Sequence, residues 1–318
     1  MSALAIGYLL PTQDAAGVQG RRIGELIELG VRAEEMGLEG VWVPDSPFQY
    51  GLPEPLVVLA ALAARTRRIT LATGVLLAGL RQPTLLAQQL ASLDALAGGR
   101  LRAGFGAGFS SPDSERQFAA AGVPFATRTS RLEESIALMR ALWSVAGEPA
   151  VYTGAHVQAN DIVLSPAPGQ PGGPAIWLAG AGARAESRVG RLADGWLPYL
   201  PSPSGYASSW ERVQAAAAAA GRDRPPVPAL YLTVTLDKSA ARARRRLRET
   251  VERWYGRPFE MIASLQALYA GTPEGLEAHL DPYVQAGVRY IVVRAADESR
   301  RGLDSVSAVV ERLAGLAR

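Results

Sequence analysis

The 318-residue chain has no cysteine, which excludes disulfides and thiolate metal sites. Lysine occurs once, at Lys238, so arginine supplies almost all the positive charge. With 33 basic residues against 30 acidic ones the net charge is +3, too small and too scattered for a nucleic-acid partner. No apolar stretch is long enough to span a bilayer, and no charged segment followed by an apolar run opens the chain. A soluble, cytoplasmic protein with no membrane partner is the expectation.

Hydrophobic residues make up 48% of the sequence, enough for a sizeable core. Short apolar runs alternate with helical patterns almost from end to end. Strands are expected at Ala3–Leu9, Gly40–Val43, Ile69–Val75, Leu101–Gly106, Ala175–Ala179, Gly195–Leu197, Val227–Leu236 and Tyr290–Val293. Helices are expected over Arg21–Met36, Pro55–Arg65, Pro83–Leu96, Arg128–Trp143, Ala183–Leu192, Trp210–Ala220, Ser239–Tyr255 and Gly302–Leu316, with a further helical stretch reaching about residue 286. Repeated βα units imply a parallel sheet covered by helices. Eight of them in one chain favour an α/β (β/α)8 TIM barrel over a doubly wound sheet. Residues 144–173 alternate like a hairpin and close in a Pro/Gly-rich connector, so they read as an insertion between βα units four and five of one domain.

In such a barrel, chemistry sits at the C-terminal ends of the strands. The run "VWVPDSPFQYG" places Asp45 and Ser46 at the end of strand two; Asp45 fits either a catalytic carboxylate or a turn cap. After strand three, Thr73, Gly74 and Val75 suggest a bulge or an unusual peptide geometry. After strand four, Gly104, Gly106 and Gly108 would let backbone approach a flat ligand, or would serve close strand packing alone. The polar run that follows is expected to be a loop or lid. After strand five, Gly180, Ala181 and Gly182 open a helix, which is either an anion site or a tight turn. The match of this stretch to G-x-G-x-x-A is rejected as a dinucleotide fingerprint, because it sits in the fifth βα unit and no isolated acidic residue ends a strand about twenty residues on. Arg128 and Arg131 open helix four, where pairing with Glu133 or Glu134 is the simpler role. The only histidines, His156 and His279, lie away from these strand ends. Histidine metal ligation and a Ser–His–Asp triad are therefore disfavoured, and no metal site is expected. Glycine-lined strand ends with few titratable groups suit a bound redox cofactor.

The segments "GLEGVWVPDS", "TGVLLAGLRQPTLLAQQLASLDALAGGRLRAGFGAGF", "AAAGVPFATRTSRLEESIALMRALW", "PAIWLAG", "RLADGWLPYLP" and "GTPEGLEAHLDPYVQAGVRYIVVRA" resemble, in order, the bacterial luciferase-like monooxygenase superfamily. The resemblance runs from about residue 3 to about 300 and is strongest to the branch that uses coenzyme F420. It implies a barrel that binds F420 or, alternatively, FMN. It implies that Thr73, Gly74 and Val75 form a bulge against the cofactor ring, often with a cis peptide at Gly74–Val75. Gly106, Ala107 and Gly108 would border the ring or its chain. Gly180, Ala181 and Gly182 would hold the phosphate, and Arg131 matches a phosphate-contacting arginine of some members. Many relatives carry an acidic residue and a histidine at the end of strand two, where this chain has Asp45 and Ser46. A second common histidine is replaced by Gln82.

The resemblance implies an F420-dependent oxidoreductase that moves hydride to or from a small organic substrate. A two-component FMN-dependent monooxygenase, supplied by a separate reductase, is the alternative. A flavin-binding protein without turnover is a second one. Phe48, Tyr50, Phe109 and Tyr199 hint at an apolar or ring-bearing substrate, or at ordinary loop packing. A homodimer is also implied by the family.

Overall fold

The computed structural model describes residues 4–12, 23–48, 51–297, 302–306 and 309. Eight parallel strands close on themselves in the order β1 (Ala5–Leu9), β2 (Gly40–Val43), β3 (Thr70–Thr73), β4 (Leu101–Phe105), β7 (Ala175–Ala179), β8 (Gly195–Leu197), β9 (Val227–Leu236) and β11 (Tyr290–Ala295). The ring is sealed where β11 pairs with β1, Tyr290 opposite Ala5, and where β8 pairs with β9, Gly195 opposite Val227. These are the eight strands expected from the sequence. Together with the helices between them they form a (β/α)8 barrel.

Strand periodicity separates two apolar layers. Along β11, Ile291 and Val293 face the helices, whereas Tyr290 and Val292 belong to the cluster inside the barrel. That interior cluster includes Leu9, Trp42, Ala72, Trp177, Leu197, Ala229 and Tyr231. Trp42 and Trp177 meet edge to face at 5.1 Å, and the Trp42 indole donates to the Tyr290 hydroxyl at 3.1 Å. A Cβ at Gly40 would collide with that hydroxyl, so glycine there makes room for the aromatic plug.

The outer helices are α1 (Ile23–Glu35), α2 (Pro55–Arg65), α3 (Pro83–Leu96), α5 (Arg128–Ser144), α6 (Ala183–Leu192), α7 (Pro203–Ala219), α8 (Ala240–Tyr255) and α10 (Pro273–Gln285). Proline at N1 and a capping side chain start several of them, including Glu54 before α2 and Ser202 before α7. Between α5 and β7, β5 (Pro149–Thr153) and β6 (Gln158–Val163) pair as an antiparallel hairpin. Its turn is fastened to α5 through Glu134, whose carboxylate accepts from the backbone N–H groups of His156 and Val157.

Three expectations need correction. The stretch after β4 is not all loop, because Ser111 caps a helix, α4 (Pro112–Ala120), with Pro112 at its first position. The stretch leading to residue 286 is not one helix. It holds α9 (Phe259–Ala263), then a ninth parallel strand, β10 (Ala267–Gly271), beside the second half of β9, then α10. Thr272 caps α10 and Pro273 opens it, which separates the strand from the helix. Helix α7 also starts earlier than expected, at Pro203. Of the last expected helix, residues 302–306 are helical; its remainder past residue 309, like Tyr50, lies outside the described residues.

Candidate active site

The C-terminal ends of β1 to β4 and β7 to β11 converge on one mouth of the barrel. At the end of β3 the Gly74–Val75 peptide is cis. Pairing with β4 runs from Leu71–Leu101 and Ala72–Arg102 to Leu76–Phe105, four residues on one side against three on the other, which defines a bulge. The Thr73 hydroxyl donates to the Gly104 carbonyl at 2.7 Å, and the Leu76 N–H donates to the same carbonyl at 2.8 Å. Glycine at 104 and 106 is required by this bulge. A Cβ at Gly104 would overlap the Thr73 carbonyl, and one at Gly106 would lie 2.8 Å from the Val75 side chain. Gly108 has φ of +85°, a left-handed conformation that favours glycine.

The outcome is a shallow platform. Gly74, Val75, Ala107 and Gly108 are half-buried, flanked by fully buried Thr73, Leu76 and Gly106, and none carries a charge. Phe109, 65% exposed, follows and stacks on Tyr199 at 5.7 Å.

Asp45 lies beneath one edge of the platform with its side chain 3% exposed. Its carboxylate accepts from Arg81 at 2.7 and 3.2 Å and from the Leu77 N–H at 2.9 Å. Arg81 also reaches Glu54, the cap of α2, at 3.1 Å. Burial works against the Arg81 charge, but Asp45 and Glu54 outweigh it and hold its pKa above the usual arginine value. Asp45 therefore ties the turn after β3 to the end of β2. The Ser46 hydroxyl faces the Gln117 side chain of α4 at 3.4 Å. Gln82 accepts from the Leu85 N–H at 2.7 Å and serves as the cap of α3.

A second region of the mouth is suited to an anion. Gly180 and Gly182 have φ of +124° and +89°, and Gly182 is the N-cap of α6. Ala181, Gly182, Ala183 and Arg184 are all exposed there. The Gly182 N–H is taken by Glu186 at 3.0 Å, while the first-turn amides beyond it have no acceptor within the helix. Glu186 is fully buried and also bound by Arg212. Burial would raise its pKa; Arg212, Ser209 and the Gly182 N–H outweigh that and lower it.

Helices α5 and α6 run side by side in the same direction, because Glu133 meets Arg188 at 2.7 Å and Arg140 meets the Leu192 carbonyl at 2.7 Å. Arg131, near the start of α5, thus lies at the same end as the α6 N-terminus. Neither of the pairings expected for Arg128 and Arg131 forms: Glu133 serves Arg188 and Arg191, and Glu134 serves the hairpin. Arg131 gives its Nε to Thr127, and Arg128 lies over the Phe125 ring at 4.0 Å.

Of one further group the sequence reading named Tyr199 alone. Tyr199, Tyr231, Tyr255 and Arg294 meet on the side of the mouth formed by β8, β9 and β11. Tyr199 and Tyr231 touch edge to face at 4.6 Å, and Arg294 donates to the Tyr255 hydroxyl at 3.1 Å. The inward parity of β9 and β11 would have found Tyr231 and Arg294. Among the described residues, no group of three or more His, Asp or Glu side chains could hold a metal.

The structure is thus a TIM barrel with an uncharged platform at its mouth and a helix N-terminus beside it. The chain belongs to the luciferase-like monooxygenase family, whose model matches residues 4–290. Among curated relatives it is 34% identical over 183 residues to the F420-dependent glucose-6-phosphate dehydrogenase of Kineococcus radiotolerans, covering 55% of this chain and 52% of that one. It is 29% identical to the enzyme of that name from Nocardia farcinica, covering 88% and 90%. Several of the curated relatives are thus matched over about half their length. Among solved structures, monooxygenase RslO1 from Streptomyces bottropensis superposes with a TM-score of 0.81 at 25% identity, over 97% of this chain and 99% of that one. An F420-dependent secondary alcohol dehydrogenase shares the fold, with a TM-score of 0.81 at 18% identity over 98% and 99%.

Proposed function

We propose that the protein is an F420-dependent oxidoreductase acting on a small organic substrate, built as one domain. The observation that carries this is the pairing of a flat, uncharged platform at Gly74, Val75, Ala107 and Gly108 with an exposed helix N-terminus and Arg131 at the same mouth. A planar ring fits the first, and the phosphate of its tail fits the second. The curated relatives named for F420 favour this cofactor.

Bound there, a reduced deazaflavin supplies a hydride. The residues of this chain do the rest. Thr73, Gly74 and Val75 support the ring, and Gly106, Ala107 and Gly108 border it. The amides after Gly180, Ala181 and Gly182, with Arg131, hold the phosphate. Asp45 and Arg81 fix the turn that carries Val75. The Ser46 hydroxyl is a poor proton donor near neutral pH, so it does not reproduce the imidazole that many relatives carry at that position.

An FMN-dependent monooxygenase fed by a separate reductase is the second reading, favoured by the full-length similarity to RslO1. Titrating the purified protein with F420 and with FMN, followed by fluorescence, separates the two. Tight F420 binding supports the first reading; FMN binding without F420 binding sinks it. F420 binding with no oxidation of its reduced form across a substrate panel would point instead to a protein without turnover. No described helix is long and apolar enough to cross a membrane, and a cytoplasmic location is the reading we favour. A homodimer, which the family resemblance implies, is the assembly we propose.

A further inference from the structure

Thr233 and Arg294 are direct neighbours in the pairing of β9 with β11, and Tyr231 is opposite Val292 two residues below. Tyr231 and Val292 face the barrel interior, so strand parity turns Thr233, Thr235 and Arg294 toward the same side. Beta10 extends this wall, with Leu268 opposite Thr233, and Gln266 immediately precedes the strand.

This wall holds polar groups that no described residue satisfies. Thr233, Thr235 and Gln266 are 0%, 3% and 2% exposed. Among the described residues neither threonine hydroxyl has a hydrogen-bond partner, and neither does the amide oxygen or nitrogen of Gln266. Leaving such a group unmatched is costly, and three side chains on one wall add to that cost. A bound polar group would supply the partners that these buried side chains lack.

Its centre is a phenol pair backed by a cation. The Arg294 guanidinium lies 3.5 Å from the centre of the Trp254 ring and gives one N–H to Tyr255. Tyr199 contacts Tyr231 from above and carries Phe109 on its other face, so it links Tyr231 to the exposed rim. Val75 of the platform and Tyr199 pack on the same interior cluster as Tyr231. Burial pushes the Tyr231 hydroxyl up to about 12, with Arg294 pulling in the opposite direction, so the phenol keeps its proton at neutral pH.

We propose that this wall receives the oxygen of a neutral carbonyl or alcohol substrate, with Tyr231 as the residue that donates to that oxygen and exchanges a proton with it. The proposal rests on the oxidoreductase reading above. In the reducing direction the substrate carbon gains the hydride and its electron pair, and the carbonyl π bond becomes a lone pair on oxygen. That oxygen takes the Tyr231 proton. The Tyr231 phenolate regains its proton from solvent water when the product leaves. An alkoxide is more basic than a phenolate, so the transfer runs downhill, and Arg294 offsets the transient phenolate charge. The guanidinium is already engaged by Trp254 and Tyr255, which suits a neutral oxygen rather than an anionic group. Tyr231 thus supplies the proton that Ser46 and Gln82 cannot.

The test is saturation-transfer NMR on the full chain with cyclohexanone and its oxygen-free counterpart methylenecyclohexane. Wild type should bind the ketone in preference, and Tyr231→Phe should weaken ketone binding about tenfold while leaving the hydrocarbon unchanged. Thr233→Val, which removes an unpaired hydroxyl, should lower the ketone preference without lowering the melting temperature, which controls for misfolding. Equal binding of the two probes, no ketone binding up to its solubility, or a preference that survives Tyr231→Phe would overturn the proposal. F420 fluorescence on the same samples keeps the two readings apart. Failure to bind F420 would count against the cofactor assignment, and the probe comparison would still decide the fate of the wall.

Discussion

Asp45 and Arg81 form a two-pronged ion pair at 2.7 and 3.2 Å, joining the end of β2 to the turn that follows β3. Both partners are largely buried, and the Leu77 N–H completes the carboxylate. The consequence is mechanical. The pair holds the Val75 platform, and its loss should disturb cofactor binding and stability together.

Breaking a buried pair from one side leaves an uncompensated charge, at about 3–5 kcal/mol. Arg81→Met should therefore destabilise the protein by that order and weaken cofactor affinity. Asp45→Asn should act in the same direction, and the double substitution should be less harmful than the sum of the two. Urea denaturation of the four proteins checks this. A variant Asp45→Asn with full stability and full affinity but no turnover would instead make Asp45 a catalytic acid.

The β3 bulge sets a hierarchy among glycines. Gly104→Ala drives a Cβ into the Thr73 carbonyl, which is backbone and cannot give way. Gly106→Ala meets the Val75 side chain at 2.8 Å, which can shift at the expense of the platform. Thermal unfolding should show the first change as the more destabilising, beyond the roughly 1–3 kcal/mol usual for overpacking. The second should mainly reduce cofactor affinity in a fluorescence titration.

Glu186 gives the α6 loop a pH dependence. Its pKa is lowered in the folded protein, so the carboxylate contributes stability above its unfolded value and loses it as pH falls through the folded one. The window lies on the acid side, below the ordinary glutamate range. Stability of wild type should fall there, and Glu186→Gln should flatten that part of a pH–stability curve while lowering stability at neutral pH. A curve of unchanged shape in the variant would remove Glu186 as the group responsible.

Arg131 should act on affinity and hardly on stability, since among the described residues its side chain is hydrogen-bonded to Thr127 alone. Arg131→Ala should weaken cofactor binding about ten- to hundredfold, as expected for a lost hydrogen bond to a charged group. The difference from wild type should shrink as salt is raised. Equal affinity of both proteins at low salt would place the phosphate elsewhere.

Much of the barrel was legible because strand and helix periods differ and the βα alternation is regular. The eight ring strands follow from that pattern alone. Beta10 was not, because "QALYAG" is short and lies between helices, although the Thr272–Pro273 cap marks where a new helix must begin. The glycines around the end of β4 were visible, but the sequence could not show that Gly104 answers to the Thr73 backbone and Gly106 to the Val75 side chain. Asp45 was visible too, yet its partner Arg81 lies 36 residues away and is joined only by the closure of the barrel. The Tyr231 and Arg294 pair was hidden for the same reason, since β9 and β11 are neighbours only in the folded sheet.

The most direct test of the central claim is a crystal structure of the protein with F420. The deazaflavin ring should lie against Gly74 and Val75, with its phosphate within hydrogen-bond distance of the amides that follow Gly182 and of Arg131. A ring bound away from Val75, or a phosphate held by neither α6 nor Arg131, would contradict the account.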